Sequence, residues 1–193
     1  MERFKNPLFF VLFLTLINYS CDNEDTLQEG PFDRSILLDD IATNLIIPNF
    51  QSLQASVDNL SAAADDFTQN TNEENLIGLQ TAWSEAVVDY QHCSAFGFGP
   101  ASLPLGPFAT VLGVFPVDEA KIEERMLDSN FNLAASFDRD IRGFYAVEYL
   151  IFSRNSPNTE IISGFNQTRK DYLLLIISEL KTTFDTIVNE WNT

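Results

Sequence analysis

A short apolar segment in the second half of the chain constrains the fold most. Between Gly143 and Phe152, Glu148 is the only side chain expected to be charged at neutral pH. Apolar residues recur on every side of this segment at helical spacing, a pattern that predicts a helix buried all round. A carboxylate inside such a helix is costly unless it is protonated, hydrogen-bonded or paired with a cation.

The role of Glu148 has two interpretations on the residues alone. Tyr145 precedes it by one helical turn, so the phenol and the carboxylate share a face. In the first interpretation Glu148 is structural, hydrogen-bonded to the backbone or to Tyr145. In the second it belongs to a ligand or metal site between helices. Both stay open at this point.

Amphipathic patterns cover most of the chain before this segment. The first opens at Ser35, and Pro48 is predicted to kink or interrupt it because a mid-helix proline removes a backbone hydrogen bond. Asn72 is predicted to cap the second helix at its N-terminus. The predicted apolar face of that helix comprises Leu76, Leu79, Trp83, Val87, Tyr90 and Ser94.

The later patterns are also helical. A short helix is predicted from Val117 to about Leu127, the central helix from about Asp138, and the last helix over Tyr172–Trp191. We find no alternating pattern long enough to seed a sheet. Long helices with short connections predict an all-α, up-and-down helical bundle. The Gly- and Pro-rich stretch 97–116 is predicted to pack over this bundle as an apolar loop and to line a site.

The N-terminus has the composition of an export signal. Residues 1–20 combine Arg3 and Lys5 with an apolar run too short to span a bilayer, which predicts a signal peptide. Ser20-Cys21 resembles the lipobox of bacterial lipoproteins, although Asn18 stands where a Leu-like residue is usual. We therefore expect lipidation of Cys21 and a membrane anchor, with an ordinary cleaved secretory signal as the alternative.

The predicted organisation continues with a tether and one domain. Residues 21–34 are predicted to be an acidic linker, and residues 35–193 a helical domain. The acidic stretch after Cys21 is similar to surface-export signals of Bacteroidetes lipoproteins, and it is equally compatible with a solvated spacer. We expect a lipid-anchored protein of the cell envelope, either periplasmic or surface-exposed.

Charge and cysteine content exclude some classes of function. The formal net charge of −17 argues against a nucleic-acid partner, because phosphate binding needs a basic surface. Lipidation of Cys21 leaves Cys93 without a disulfide partner, so Cys93 is expected to be a small buried hydrophobe. His92 is the only histidine, and a lone histidine at a helix end is more often a surface residue than a ligand.

Several segments together resemble the imelysin-like family of bacterial envelope proteins. The resemblance rests on Leu79–Trp83, Phe96–Pro100, Phe115–Glu119, Arg142–Leu150 and Tyr172–Trp191. It implies a helical fold of two related bundles, with a signature site near their junction. Members are linked to iron uptake and metal binding, and some were named as metallopeptidases. A typical member is considerably longer, so we expect this chain to correspond to the N-terminal half, with much of the second bundle missing.

The signature of the family is Gly-x-His-x-x-Glu, and this chain departs from it at one position. Gly143 and Glu148 carry over, but Tyr145 stands in place of the histidine. A neutral phenol is a poor ligand for zinc or iron, and a metallopeptidase needs about three protein ligands and an activated water. Metallopeptidase activity is therefore not expected.

These observations lead to one main hypothesis and two alternatives. We expect an imelysin-type envelope lipoprotein that acts as a binding or accessory protein in metal or iron uptake. Its cofactor or ligand would be a divalent metal or iron. The candidate site residues are Glu148, Tyr145, Glu119, Asp118 and His92. The alternatives are a structural module that pairs with an envelope partner through apolar surface, and, third, a hydrolase.

Overall fold

A computed structural model describes residues 33–128, 132–133, 138–153 and 156–193. The predicted signal peptide, Cys21 and nearly all of the predicted tether lie outside the described residues. By density of contacts the chain divides into Met1–Ile36 and Leu37–Thr193. In the first unit the Asp33 carboxylate accepts a hydrogen bond from Ser35 N at 2.9 Å. All that follows concerns the second unit.

The described chain contains eight α-helices, a π-helical segment (Ala42–Ile46), two short 3-10 helices (Ser94–Phe96 and Gly99–Ala101) and one pair of two-residue strands. The helices are α1 (Arg34–Ile41), α2 (Ile47–Gln69), α3 (Glu73–Cys93), α4 (Phe108–Leu112), α5 (Glu119–Met126), α6 (Gly143–Ile151), α7 (Asn158–Gly164) and α8 (Gln167–Trp191). Strands β1 (Ser102–Leu103) and β2 (Gly106–Pro107) pair antiparallel. The predicted all-α fold is confirmed, since this strand pair only shapes a loop.

The core is formed where α2 packs against α3 and α8, and α6 lies against α3 and α8. Each of these four helices turns apolar side chains inward, and burying each large apolar side chain stabilises the fold by about 1.5–3 kcal/mol. The largest fully buried side chains include Phe50, Phe67, Leu53, Leu60, Leu76, Leu79, Phe144 and Phe184. The last helix begins at Gln167, earlier than predicted, and the Asn166 side chain caps it by accepting from Arg169 N at 3.0 Å.

The first predicted helix changes its geometry just before Pro48. Residues Ala42–Ile46 form a π-helical segment, and α2 then begins with Pro48 in its first turn. A proline is tolerated there because the first backbone N–H groups of a helix have no partner within it. The predicted interruption therefore takes the form of a junction between two helical segments.

Helix α3 begins as predicted, but its buried stripe is displaced from the predicted one. The Asn72 side chain accepts from Asn75 N at 2.9 Å, which confirms the predicted cap. Leu76, Leu79 and Tyr90 are buried as expected. The other buried positions are Ala82, Ala86 and Cys93, whereas Trp83 and Val87 are half-buried and Ser94 is exposed. The small alanines allow close packing of helices, and this rotates Trp83 toward the edge of the core.

Cys93 is confirmed as a free, buried cysteine. Burial raises the pKa of its thiol to about 12, with a smaller contribution from the Asp89 charge. Such a thiol is protonated and unreactive at neutral pH.

The predicted apolar loop 97–116 packs against the bundle through α4. Phe108, Val111 and Leu112 of this short helix are buried, and Phe108 lies edge-on to Phe50 with ring centroids 5.5 Å apart. Within the described ranges no helix has the length and apolarity needed to cross a bilayer.

Two predictions about the central helix are wrong. Helix α6 begins at Gly143 and not near Asp138. It is also not buried all round, because Tyr145, Glu148 and Tyr149, together with Phe152 just after the helix, form a half-buried face. Periodicity alone missed this face since aromatic residues next to a cleft read as apolar in a sequence.

Candidate functional site

A cleft with a volume of about 760 Å³ opens beside the half-buried face of α6. Its walls come from α3, from the loop before α5 and from α6 and the residues that follow it. The lining residues are Trp83, Phe115, Pro116, Val117, Glu119, Tyr145, Glu148, Tyr149, Phe152 and Ser153. A volume of this size is typical of sites for small molecules.

The spacing along α6 explains why one face of the helix lines the cleft. Tyr145, Glu148, Tyr149 and Phe152 follow one another at intervals of three, one and three residues, which places them on one stripe. The opposite side of the helix is buried in the core through Ala146, Val147, Leu150 and Ile151. Packing of that side fixes the direction in which the cleft residues point.

The Glu148 side chain is half-buried in the cleft wall. Among the described residues its carboxylate has no hydrogen-bond or ion-pair partner. This contrasts with the structural interpretation, in which the backbone or Tyr145 would hold the carboxylate. The Tyr145 hydroxyl instead has Gln91 Nε2 at 3.5 Å, which is a long contact for a hydrogen bond. Among the described residues, Glu148 therefore lines the cleft without a polar partner.

Two pairs of aromatic residues that line the cleft are in edge-to-face contact, and they are called the aromatic corners below. Trp83 and Phe152 have ring centroids 5.1 Å apart with 62° between their planes. Phe115 and Tyr145 have centroids 5.4 Å apart with an interplanar angle of 63°. Edge-to-face contacts of this kind are attractive because the positive edge of one ring meets the negative face of another.

Helices α3 and α6 are joined by side-chain hydrogen bonds at both ends of the cleft face. Trp83 Nε1 donates to Phe144 O at 2.8 Å, and Gln80 Nε2 donates to Ile151 O at 2.8 Å. The two contacts lie about two helical turns apart, so they fix the position of α6 along α3.

Tyr149 is held by a small polar network behind the cleft. Its hydroxyl donates to Glu123 Oε1 at 2.7 Å, and Arg169 NH1 donates to the same oxygen at 2.8 Å. The Arg169 guanidinium also lies over the Tyr149 ring, 5.4 Å from its centroid. Burial raises the pKa of Tyr149 to about 12, and the hydrogen bond to Glu123 contributes further.

The structure brings some predicted site residues together and separates others. Glu148, Tyr145 and Glu119 line the cleft, with Glu119 exposed. Asp118 is not among the lining residues, and its carboxylate caps α5 by accepting from Lys121 N at 3.0 Å. The His92 side chain is 62% exposed and lies beside Asp89, with Nδ1 and Oδ1 3.8 Å apart, so it is outside the cleft.

The donor set at the cleft fits a metal ion poorly. In the part of the chain that the structure describes, no group of three or more His, Cys, Asp or Glu side chains is placed to hold a metal ion. The cleft supplies two carboxylates and two phenols, and no imidazole or thiolate. Zinc and iron(II) sites in proteins rely on nitrogen or sulfur ligands that this set lacks.

The other seven cleft residues are not singled out by the sequence. The apolar spacing of α3 predicts Trp83 on the buried face, and Phe115 and Pro116 belong to the loop 97–116 that is predicted to line a site without being named individually. The three-one-three spacing that starts at Tyr145 is a usable signal for Tyr149 and Phe152, because it places them on the same face as Glu148.

The chain matches a known protein family. The family described as Imelysin, Peptidase_M75, matches residues 46–193. The matched region therefore contains every cleft residue.

Two similar proteins carry related names. The chain is 20% identical to iron-regulated protein A of Synechococcus elongatus over 147 residues, which is 76% of this chain and 37% of that protein. A crystal structure from Parabacteroides distasonis, assigned as an iron-regulated protein A precursor, superimposes with a TM-score of 0.68 at 21% identity. The match covers 80% of this chain and 44% of that chain, so the likeness shows the fold. This chain spans less than half the length of either protein.

Proposed function

The chain belongs to the imelysin family, and from that premise we propose that it is an iron-related accessory protein that binds a ligand in the Glu148 cleft. In this proposal the cleft occupies the place of the family's signature site and serves binding, not hydrolysis. The iron connection rests on the names of the two similar proteins.

One observation carries the binding role. Glu148 is the acidic residue of the signature, and its carboxylate projects into an aromatic cleft with no partner among the described side chains. On its exposed side this half-buried carboxylate can be solvated by water. A ligand that covers it must supply a cation or hydrogen-bond donors in place of that water, and a ligand with such a group is bound selectively.

The chemistry of the cleft supports binding more than peptide hydrolysis. Tyr145 replaces the signature histidine, and His92 lies outside the cleft. Hydrolysis by a metal-activated water requires about three protein ligands and a general base. The two carboxylates and two phenols of the cleft do not supply such a set.

The test is growth under iron limitation. A strain of the source bacterium without the gene is complemented with the wild-type chain, with Glu148→Ala, or with Glu85→Ala. Glu85 is an exposed residue two positions after Trp83 on α3 and is not a cleft residue, so it is a matched control. We expect the wild type and Glu85→Ala to restore growth and Glu148→Ala to fail. Equal growth with all three variants, or no growth defect of the deletion strain, would contradict the proposal.

A bare metal ion is the second candidate ligand. It is favoured by the oxygen donors of Tyr145, Glu148 and Glu119 on one cleft, and it is opposed by the lack of nitrogen ligands. Calorimetric titration with iron, zinc, copper and calcium tests it. Affinity tighter than micromolar that is lost in Glu148→Ala would support a metal site, and weaker binding in both proteins would exclude it.

We also propose that the chain is anchored to the envelope through Cys21, in agreement with the lipobox-like sequence. Fractionation of cells that carry Cys21→Ser tests this part. The wild-type chain is expected in the membrane fraction and the variant in the soluble one. An unchanged membrane location of the variant would contradict the anchor.

A further inference from the structure

The described residues of the cleft lining carry charge of one sign. Ten described residues line the cleft, of which five are aromatic and two are glutamates, and none of these ten is Lys, Arg or His. Arg169, whose guanidinium lies over the Tyr149 ring, pairs with Glu123 and is not among these lining residues. The described lining therefore combines negative carboxylates with aromatic rings, whose faces are also negative.

We propose that the cleft is a binding site for a small organic cation, with a substituted ammonium head beside Glu148 and an apolar body against the rings. This inference rests on the proposed binding function of the same cleft and names the chemical class of its ligand.

The aromatic corners supply the first part of the recognition. Cations are attracted to the faces of aromatic rings, and quaternary ammonium ions are bound in cages of two or more such rings. The Trp83–Phe152 and Phe115–Tyr145 pairs each hold two rings at about 60° to one another on opposite parts of the α6 stripe. In this proposal an ammonium head lies between the two pairs and contacts rings from both. Tyr149 adds a fifth ring, and its network with Glu123 and Arg169 keeps that ring in place.

The two glutamates of the cleft, Glu148 and Glu119, supply the second part of the recognition. Among the described residues Glu148 has no cation near it, unlike Glu123 outside the cleft, which pairs with Arg169. A ligand that covers Glu148 removes its carboxylate from water, and a positive group on that ligand offsets this cost most directly. Glu119, exposed at the rim, adds a second negative charge that favours entry of a cation.

An organic cation suits this cleft better than a metal ion. Calcium and magnesium need about six or more oxygen ligands, and aromatic ring faces supply none. The cleft volume of about 760 Å³ is far larger than one ion requires and falls within the range of small-molecule sites. A substituted ammonium ion has an apolar surface that matches the rings and a charge that matches the carboxylate.

The test is calorimetric titration of the full chain with choline and with its uncharged carbon isostere. Glu148→Gln keeps the shape of the side chain and removes the charge, and Glu85→Gln is the matched control. We expect choline to bind at least tenfold more tightly than the isostere. Glu148→Gln is expected to weaken the binding of choline at least fivefold without changing the affinity for the isostere. Glu85→Gln is expected to change neither affinity. Circular dichroism establishes that each variant is folded.

Several outcomes would overturn the inference. They are equal affinity for choline and its isostere, no binding of choline at millimolar concentration, or unchanged choline affinity in Glu148→Gln. A short lysine-containing peptide that binds more than tenfold tighter than choline would identify a protein segment as the occupant and would also overturn it. If choline fails to bind while Glu148→Ala still fails to restore growth under iron limitation, the ligand class is wrong and the proposed function stands.

Discussion

Gly143 packs directly against the backbone of Leu112. A Cβ atom at Gly143 would lie 2.0 Å from Leu112 O and 2.5 Å from Leu112 C, and the Gly143 φ angle is +76°. Both the contact and the left-handed backbone exclude any other residue without rearrangement. The first residue of the family signature thus holds the start of α6 against α4, and this contact sets the position of Tyr145 and Glu148 in the cleft.

Substitution of Gly143 is therefore expected to be costly. Gly143→Ala combines a disfavoured φ, worth about 1–2 kcal/mol, with a clash between its Cβ and the backbone of Leu112. We expect the free energy of unfolding in urea to fall by more than about 2 kcal/mol. Gly78→Ala is the control, because its Cβ meets nothing within 4 Å and α3 is helical there. That variant is expected to be stabilised by about 0.5–1 kcal/mol. Similar effects of the two substitutions would contradict the account.

The two tryptophans are expected to respond differently to the same substitution. Trp83→Phe removes the hydrogen bond from Nε1 to Phe144 O, and the net loss for such a bond is about 1 kcal/mol. The buried Trp191 Nε1 has no hydrogen-bond partner among the described residues, so Trp191→Phe relieves an unsatisfied donor. We expect Trp83→Phe to lower the denaturation midpoint more than Trp191→Phe does. The reverse order would contradict the inferred joining of α3 and α6.

The Tyr149 network predicts a specific alkaline titration. Burial raises the pKa of Tyr149 from 10.0 to about 12, with further contributions from the hydrogen bond and the charge of Glu123. Because the folded pKa lies above the unfolded one, the resulting stabilisation is complete below pH 10.0 and is lost as the pH rises toward about 12. Glu123→Gln is expected to lower the pKa of Tyr149, as measured by tyrosinate absorbance relative to Tyr149→Phe. Tyr90, whose pKa burial also raises to about 12, is the internal control. An unchanged titration in Glu123→Gln would exclude the network.

The buried ion pair of Arg142 predicts a stability change that depends on pH. Arg142 NH1 contacts Glu179 Oε1 at 2.7 Å, and the side chains are 5% and 19% exposed. Loss of one partner from such a pair costs about 3–5 kcal/mol. Burial raises the pKa of Glu179 and Arg142 lowers it, so Arg142→Met should raise it further. Stability associated with a raised carboxyl pKa is present at low pH and lost as the pH rises. Urea denaturation of Arg142→Met should thus show a larger loss at about pH 7 than at about pH 5. An equal loss of stability at both pH values would contradict the ion pair.

The helical bundle could be predicted from the sequence because the patterns that indicate helices are local. The cap at Asn72 and the apolar spacing of Leu76 and Leu79 depend only on neighbouring residues. The resemblance to the imelysin family added the order of the segments, and the family match confirms it. Helix ends were less accessible, as the start of α6 shows. Gly143 ends the preceding turn through its contact with Leu112, which lies more than thirty residues earlier in the chain.

Only part of the candidate site could be predicted from the sequence. Glu148 and Tyr145 could be singled out since a lone acid in an apolar helix is conspicuous. Their half-exposed position could not be predicted, because it depends on the loop that carries Phe115 and on α5, which leave a cleft beside α6. His92 illustrates the opposite error. It was a candidate by residue type, but its place on α3 turns it to solvent beside Asp89.

The emission of Trp83 tests the central claim, that ligands bind at the Glu148 cleft, most directly. In a Trp191→Phe chain Trp83 is the only remaining tryptophan, and it lines the cleft. We expect choline to change its emission in a saturable manner, with the midpoint that calorimetry gives, and Glu148→Gln to shift that midpoint to higher concentration. Binding heat without any change in Trp83 emission would show that the ligand binds elsewhere and would contradict the account.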